Sequence, residues 1–211
     1  MELKHTKINI LGDSISVGMG ASSVENGYVG RLIQKYPDAV IRNYSVSGSC
    51  ISNNRLWGLE SFCTRADKMD PDAELVVVFG GSNDYCCCTP LGTPEDRTED
   101  TFYGACYVLF EKLLRKFHGK VIAVMTPLHR LDEDGNICEE RQMIAPLYEY
   151  VRILKERAAW FGFPVIDLFA TSGMQPNFDF IREFYFPDGL HPNDTGHEVL
   201  SRRVDAALKQ L

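Results

Sequence analysis

The stretch Glu74-Leu75-Val76-Val77-Val78-Phe79 constrains this chain more than any other. A strand that alternates apolar and polar residues buries one face and wets the other, whereas a run without a polar member from Leu75 to Phe79 must bury both. Such a strand belongs at the centre of a parallel sheet with helices above and below it. The flanking sequence supplies the partners. Strand-like runs at residues 8–11, 39–44, 120–125 and 164–168 alternate with segments whose apolar residues recur at helical spacing. Val29, Leu32, Ile33 and Tyr36 make one helical face; Leu56, Leu59, Cys63, Ala66 and Met69 make a second. Phe102, Ala105, Cys106, Leu109, Phe110, Leu113, Leu114 and Phe117 form a wide stripe, and Ile144, Leu147, Tyr148, Val151, Leu154, Ala158 and Phe161 another. A last helix is expected from Asn193 or Asp194, where Thr195 and Glu198 have capping-box spacing, with Leu200, Val204, Ala207, Leu208 and Leu211 on its face. The expectation is a three-layer α/β/α sandwich of the flavodoxin-like kind, with a five-stranded parallel sheet, in a single domain over residues 1–211.

Composition narrows the function. At 211 residues with 45% hydrophobic and 24% charged side chains, the chain is an ordinary globular one with room for a core. A formal net charge of -7 opposes a nucleic-acid surface, which needs clustered Lys and Arg. No apolar run approaches the ~20 residues of a membrane helix, and the first residues do not lead into the apolar segment of a signal peptide. Seven cysteines, three of them consecutive at Cys86, Cys87 and Cys88, suit a reducing compartment better than a disulfide framework. The expected location is the cytoplasm, with neither nucleic acid nor membrane as partner. Oligomeric state is not legible.

Four short blocks carry chemistry. Gly12-Asp13-Ser14 follows the first strand, Gly48 the second, and Gly81-Ser82-Asn83-Asp84 the third, while Asp188-Gly189-Leu190-His191-Pro192 precedes the last helix. Open α/β folds keep their sites at this carboxyl edge of the sheet. A hydroxyl, an imidazole and a carboxylate are the parts of nucleophilic acyl transfer, since the hydroxyl must lose its proton as it attacks. With these blocks in this order, from Gly12 to Pro192, the chain resembles the SGNH (GDSL-type) hydrolases. The resemblance implies strand order 2-1-3-4-5, Ser14 as nucleophile, His191 as base and Asp188 as the acid that orients it. It also implies an oxyanion hole from the backbone N–H groups of Ser14 and Gly48 and the side-chain amide of Asn83.

The implied activity is a serine esterase acting on a small-molecule ester, with short acyl groups such as acetyl expected and no cofactor or metal. A lysophospholipase or thioesterase is the alternative within the family. A flavodoxin-like binding module without catalysis is the alternative outside it, and it leaves the serine, asparagine and histidine blocks unexplained. Gly-x-Ser-x-Gly is absent, so a lipase-type nucleophile elbow is not indicated.

Other residues draw plainer readings. Asp13 is expected as a turn carboxylate and His197 as an outward-facing helix residue. His129-Arg130 reads as a solvated loop pair, although on the cleft side, where it would meet an acidic substrate group. Cys50 and Cys86 to Cys88 read as small apolar pocket lining ahead of a metal site, because adjacent residues in extended chain alternate direction. Long loops are expected at 126–140 and 169–187, the second rich in aromatics suited to a substrate wall.

Overall fold

Five parallel strands, Lys7–Gly12 (β1), Val40–Asn43 (β2), Leu75–Phe79 (β3), Val121–Met125 (β4) and Val165–Ile166 (β5), pair in the order β2-β1-β3-β4-β5. They belong to a computed structural model that describes residues 2–53, 58–135 and 143–211. Between and after the strands lie Ser14–Val17 (α1), Tyr28–Lys35 (α2), Phe62–Ala66 (α3), Ser82–Cys86 (α4), Phe102–Lys116 (α5), Leu147–Phe161 (α6), Leu168–Thr171 (α7), Asp179–Tyr185 (α8) and Asp194–Leu208 (α9).

β3 sits at the middle of the sheet, and all five of its residues are buried. Val76 and Val78 enter a core shared with α3, α5 and α6, whereas Leu75, Val77 and Phe79 enter a second core with α2 and α9. Burying five such side chains contributes on the order of 10 kcal/mol. Both faces being apolar, β3 does not by itself fix its register, because a one-residue slip only exchanges the faces. The polar residue of its neighbour does. Asn9 of β1 is fully buried, and its amide donates to the Asp70 carbonyl at 2.8 Å. A slip of β1 would leave that amide unpaired in the core.

The edges are blunted. β2 is half exposed and carries Arg42, which pairs with Asp72 at 2.7 Å, a charged edge that discourages strand addition. The other edge, β5, is only two residues long, shorter than the apolar run at 164–168 suggested, because Asp167 leaves the strand to cap α7 through the Ala170 amide.

Four further expectations change. α3 begins at Phe62, capped by Ser61, so Leu59 lies ahead of it and exposed, while Leu56 falls outside the described residues. Ile144 likewise precedes α6 and is exposed. The connection at 169–187 is not one loop: it holds most of α7 and all of α8. α9 does begin where expected, but its cap is Asn193, whose carbonyl oxygen accepts from the Gly196 amide at 3.0 Å, in place of the Thr195–Glu198 pair. Among the described residues no helix is long and apolar enough to cross a membrane.

Candidate active site

β1 runs straight into the site. Its last residue, Gly12, is followed by Asp13, which caps α1 by accepting the Ile15 amide at 3.1 Å, and Ser14 is the first helical residue. Asp13 is buried, and burial pushes its carboxyl up to about 6 against that bond and the nearby charges of His191 and Arg65. It acts as the turn carboxylate expected of it. Ser14 is 7% exposed, and its backbone N–H donates to no group among the described residues.

The imidazole comes from the opposite end of the chain. Asp188 Oδ1 accepts the backbone amides of Leu190 at 2.9 Å and His191 at 2.7 Å, while Oδ2 lies 2.7 Å from His191 Nδ1. One carboxylate therefore shapes the turn and orients the ring. His191 Nε2 lies 2.9 Å from Ser14 Oγ, so Nδ1–H donates to Asp188 and the Nε2 lone pair faces the hydroxyl. Burial raises the Asp188 pKa, but the bonds from His191 and Leu190 outweigh it and hold the group below the usual carboxylate range. Gly189 is required inside this turn. Its φ is +78°, and a Cβ there would meet Leu131 Cβ at 2.7 Å. The Leu131 amide donates to the Gly189 carbonyl at 2.7 Å, which ties the turn to the loop after β4.

Gly48 and Asn83 face the same region from β2 and β3. Gly48 has φ +80°, a backbone state that glycine adopts at no steric penalty, and its amide donates to no group among the described residues. Asn83 is the second residue of α4, and its Nδ2 donates one N–H to the Ser49 carbonyl at 3.0 Å, which leaves the other available. The structure thus brings together Ser14, His191 and Asp188, and links the Gly48 loop to Asn83 through Ser49.

Two residues that hold this arrangement, Arg65 and the last member of the Gly81-Ser82-Asn83-Asp84 block, had no role of their own in the sequence. Arg65 of α3 is 4% exposed; Nη1 donates to the carbonyls of Gly12 (3.2 Å) and Tyr44, and Nη2 donates to Ser49 Oγ (2.6 Å). Burial lowers its pKa to about 10, so it stays cationic at neutral pH. Asp84 is fully buried; its carboxylate accepts the amides of Ile51 at 2.8 Å and Ser52 at 3.0 Å, and burial raises its pKa against those bonds. Arg65 joins the ends of β1 and β2, and Asp84 joins α4 to the chain after Gly48. The acceptors of Arg65 are mostly backbone carbonyls, which leave no mark in a sequence.

His197 is corrected outright: it is fully buried, not outward-facing. Its Nδ1 accepts the Tyr28 amide at 3.2 Å and its Nε2 donates to the Met19 carbonyl at 3.0 Å, with burial lowering its pKa, so it is a neutral structural brace. His129-Arg130 is not a solvated pair either. His129 Nδ1 meets Glu133 at 2.8 Å, and Arg130 is buried. The Cys50 and Cys87 side chains are buried thiols hydrogen-bonded to each other, which together with burial raises the Cys50 pKa. Among the described residues no group of three His, Cys, Asp or Glu is placed to hold a metal ion.

Comparison with known proteins agrees with this architecture. The profile of the GDSL-like Lipase/Acylhydrolase family matches residues 10–199. One solved structure is 30% identical, with a TM-score of 0.87 over 100% of this chain and 99% of that one. A protein from Lactobacillus plantarum is 25% identical, also with a TM-score of 0.87, over 99% of each chain. The lipase/acylhydrolase from Enterococcus faecalis, at 22% identity and a TM-score of 0.67 over 97% of this chain and 96% of that one, shares the fold. No curated protein matches the sequence. A profile match that runs from β1 into the last helix takes in all four blocks, and on that ground the chain belongs to the GDSL-like lipase/acylhydrolase family.

Proposed function

We propose that this protein is a serine esterase that hydrolyses small, short-acyl carboxylic esters. The observation that carries the reading is the line from Ser14 Oγ to His191 Nε2 at 2.9 Å and from His191 Nδ1 to Asp188 Oδ2 at 2.7 Å. Ser14 Oγ attacks the ester carbonyl carbon as its proton passes to His191 Nε2, and the carbonyl electron pair moves onto oxygen. The amides of Ser14 and Gly48 and the remaining Asn83 N–H are the donors available to that oxyanion, each worth about 3 kcal/mol on the usual scale. The intermediate collapses, the alcohol leaves with the proton held by His191, and the acyl group stays on Ser14. Water, deprotonated by the same imidazole, then releases the acid. Asp188 keeps the imidazole in the working tautomer and stabilises the imidazolium.

A short acyl group suits reacting residues that are only 7% (Ser14) and 9% (Asn83) exposed. One observation favours longer chains instead. Phe180 and Phe184 share a face of α8 and are 69% and 58% exposed, and the side-chain Nδ2 of Asn193, two residues after His191, donates to the Phe184 carbonyl at 2.9 Å. The test is kcat/KM across p-nitrophenyl esters of increasing acyl length, beside Ser14→Ala. A maximum at acetyl or propionyl is expected, with turnover lost by several orders of magnitude in a folded Ser14→Ala. A maximum at long chains, or activation by micelles, selects the second reading; full activity in Ser14→Ala removes both.

A further inference from the structure

Arg65, Arg130 and Arg157 are the buried arginines among the described residues, at 4%, 8% and 6% exposure. Two of them have strong partners. Arg65 donates to the carbonyls of Gly12, Tyr44 and Glu60 and to a hydroxyl, and Arg157, whose buried Nε also lacks an acceptor, pairs with Glu156 at 2.8 Å and donates to the Pro94 carbonyl. Arg130 differs. Its guanidinium carbon lies 5.6 Å from the centre of the Tyr85 ring, its Nη1 is 3.4 Å from Ser82 Oγ, and its fully buried Nε has no acceptor. No carboxylate among the described residues lies within ion-pair distance of it. Glu133 is near in sequence, but it accepts the Arg130 backbone amide at 3.3 Å and is otherwise engaged by His129, Gln175 and Asn177. A buried guanidinium with one long hydrogen bond, an unpaired Nε and no carboxylate beside it among the described residues is under-satisfied, and an acceptor carried by a bound ligand would complete it.

The position of Arg130 points to the source of that acceptor. Ser82 is the neighbour of Asn83, and Leu131, the residue after Arg130, donates to Gly189 within the Asp188–His191 turn. Arg130 therefore stands between the oxyanion side and the base side, and it is exposed to the same degree as Ser14 and Asn83. We propose that Arg130 is a specificity residue of this cleft, whose guanidinium takes a carboxylate carried by the ester substrate. The planar fork of N–H donors matches the two oxygens of a carboxylate. A single negative charge suits the site better than a doubly charged phosphate, because Asp188 lies nearby and the chain as a whole carries -7. This inference rests on the esterase reading.

The test uses the full chain and matched esters, with Ser14→Ala as the background rate. Mono-p-nitrophenyl glutarate against p-nitrophenyl butyrate puts the carboxylate on the acyl side; 4-acetoxybenzoate against 4-acetoxybenzamide puts it on the leaving group. In the wild type, one pair is expected to favour the anion in kcat/KM by about 10-fold or more. That ratio falls to about one in Arg130→Met and to an intermediate value in Arg130→Lys, which keeps the charge and loses the fork. If Arg130→Met does not fold, Arg130→Lys and the wild-type ratios carry the test. Equal or lower kcat/KM for the anion in both wild-type pairs overturns the proposal and leaves the esterase reading standing. An anionic preference unchanged in both variants assigns the carboxylate to another residue and also overturns it. Failure to hydrolyse any of the four esters, neutral ones included, overturns the esterase reading and the inference with it.

Discussion

The Asp188–His191 turn and the Ser14–Gly48–Asn83 side face each other across 2.9 Å and are held in place by different means. The turn is a local device. One carboxylate accepts two amides and one imidazole N–H within four residues, and the Asp188 side chain is 56% exposed. The opposite side is assembled from β1, the loop after β2, α3 and α4, joined through Arg65 and Asp84, both almost fully buried. A local turn tolerates changes elsewhere but is sensitive to its own atoms. A buried network passes the loss of one member to every segment it joins, because each former partner is left unpaired in a medium where that is costly.

The largest effect is expected within the turn. Asp188→Asn keeps the shape, but an amide whose oxygen accepts the Leu190 and His191 amides turns its NH2 toward His191 Nδ1. That forces the tautomer in which Nε2 carries the proton, so kcat/KM should fall by about 10,000-fold. Asp188→Ala should lose less, since it imposes no tautomer. Assays of the two variants side by side decide it, and an Asn variant more active than the Ala variant would break the picture of the turn. Next comes Asn83→Ala, expected to lower kcat about 100-fold with KM little changed, since its free N–H matters most once the oxyanion forms. A loss confined to KM would make Asn83 a ground-state contact.

Arg65→Met should lower kcat by about 10-fold and stability by about 3 kcal/mol, because two buried acceptors and the part-buried Tyr44 carbonyl lose their donor together. Arg65→Lys, with a single ammonium, should recover only part of each. Steady-state kinetics and urea unfolding on the same preparations test this, and a folded Arg65→Met with unchanged kcat would confine Arg65 to stability.

The smallest effect on turnover is expected at Asp13, where the readout is stability against pH. Its folded pKa of about 6 lies above the ordinary 3.8, so the folded state binds the proton more tightly than the unfolded one. Its contribution is fully present below pH 3.8 and is lost as pH rises through 6, by a quantity on the order of 3 kcal/mol. Asp13→Asn keeps the acceptor for Ile15 and removes the titration, so the variant should gain on the wild type as pH rises from 4 to 7. Groups of opposite sign, such as Asp188, are common to both proteins and cancel in the difference. A difference between the two urea midpoints that does not change with pH would place the Asp13 pKa near its ordinary value.

By itself the sequence determined the centre of the sheet, the alternation of strands and helices and the four blocks at the carboxyl edge. Each is written in near neighbours: five apolar residues in a row at 75–79, helical periodicity at 102–117, turn residues directly after strands. Only the tertiary structure decided what the isolated polar residues do. His197 lies inside because the Tyr28 amide and the Met19 carbonyl receive it. Arg65 spans two strand ends, and Arg130 is buried beside Ser82. α8 escaped notice for a different reason: it is only seven residues long, and Phe180, Ile181, Phe184 and Tyr185 read as part of an aromatic-rich loop, although none of its residues is buried. Periodicity reports which face of an element meets the core. The partners of a buried polar residue are groups tens of residues away for Arg65 and more than a hundred away for His197, and their positions exist only once the chain has folded.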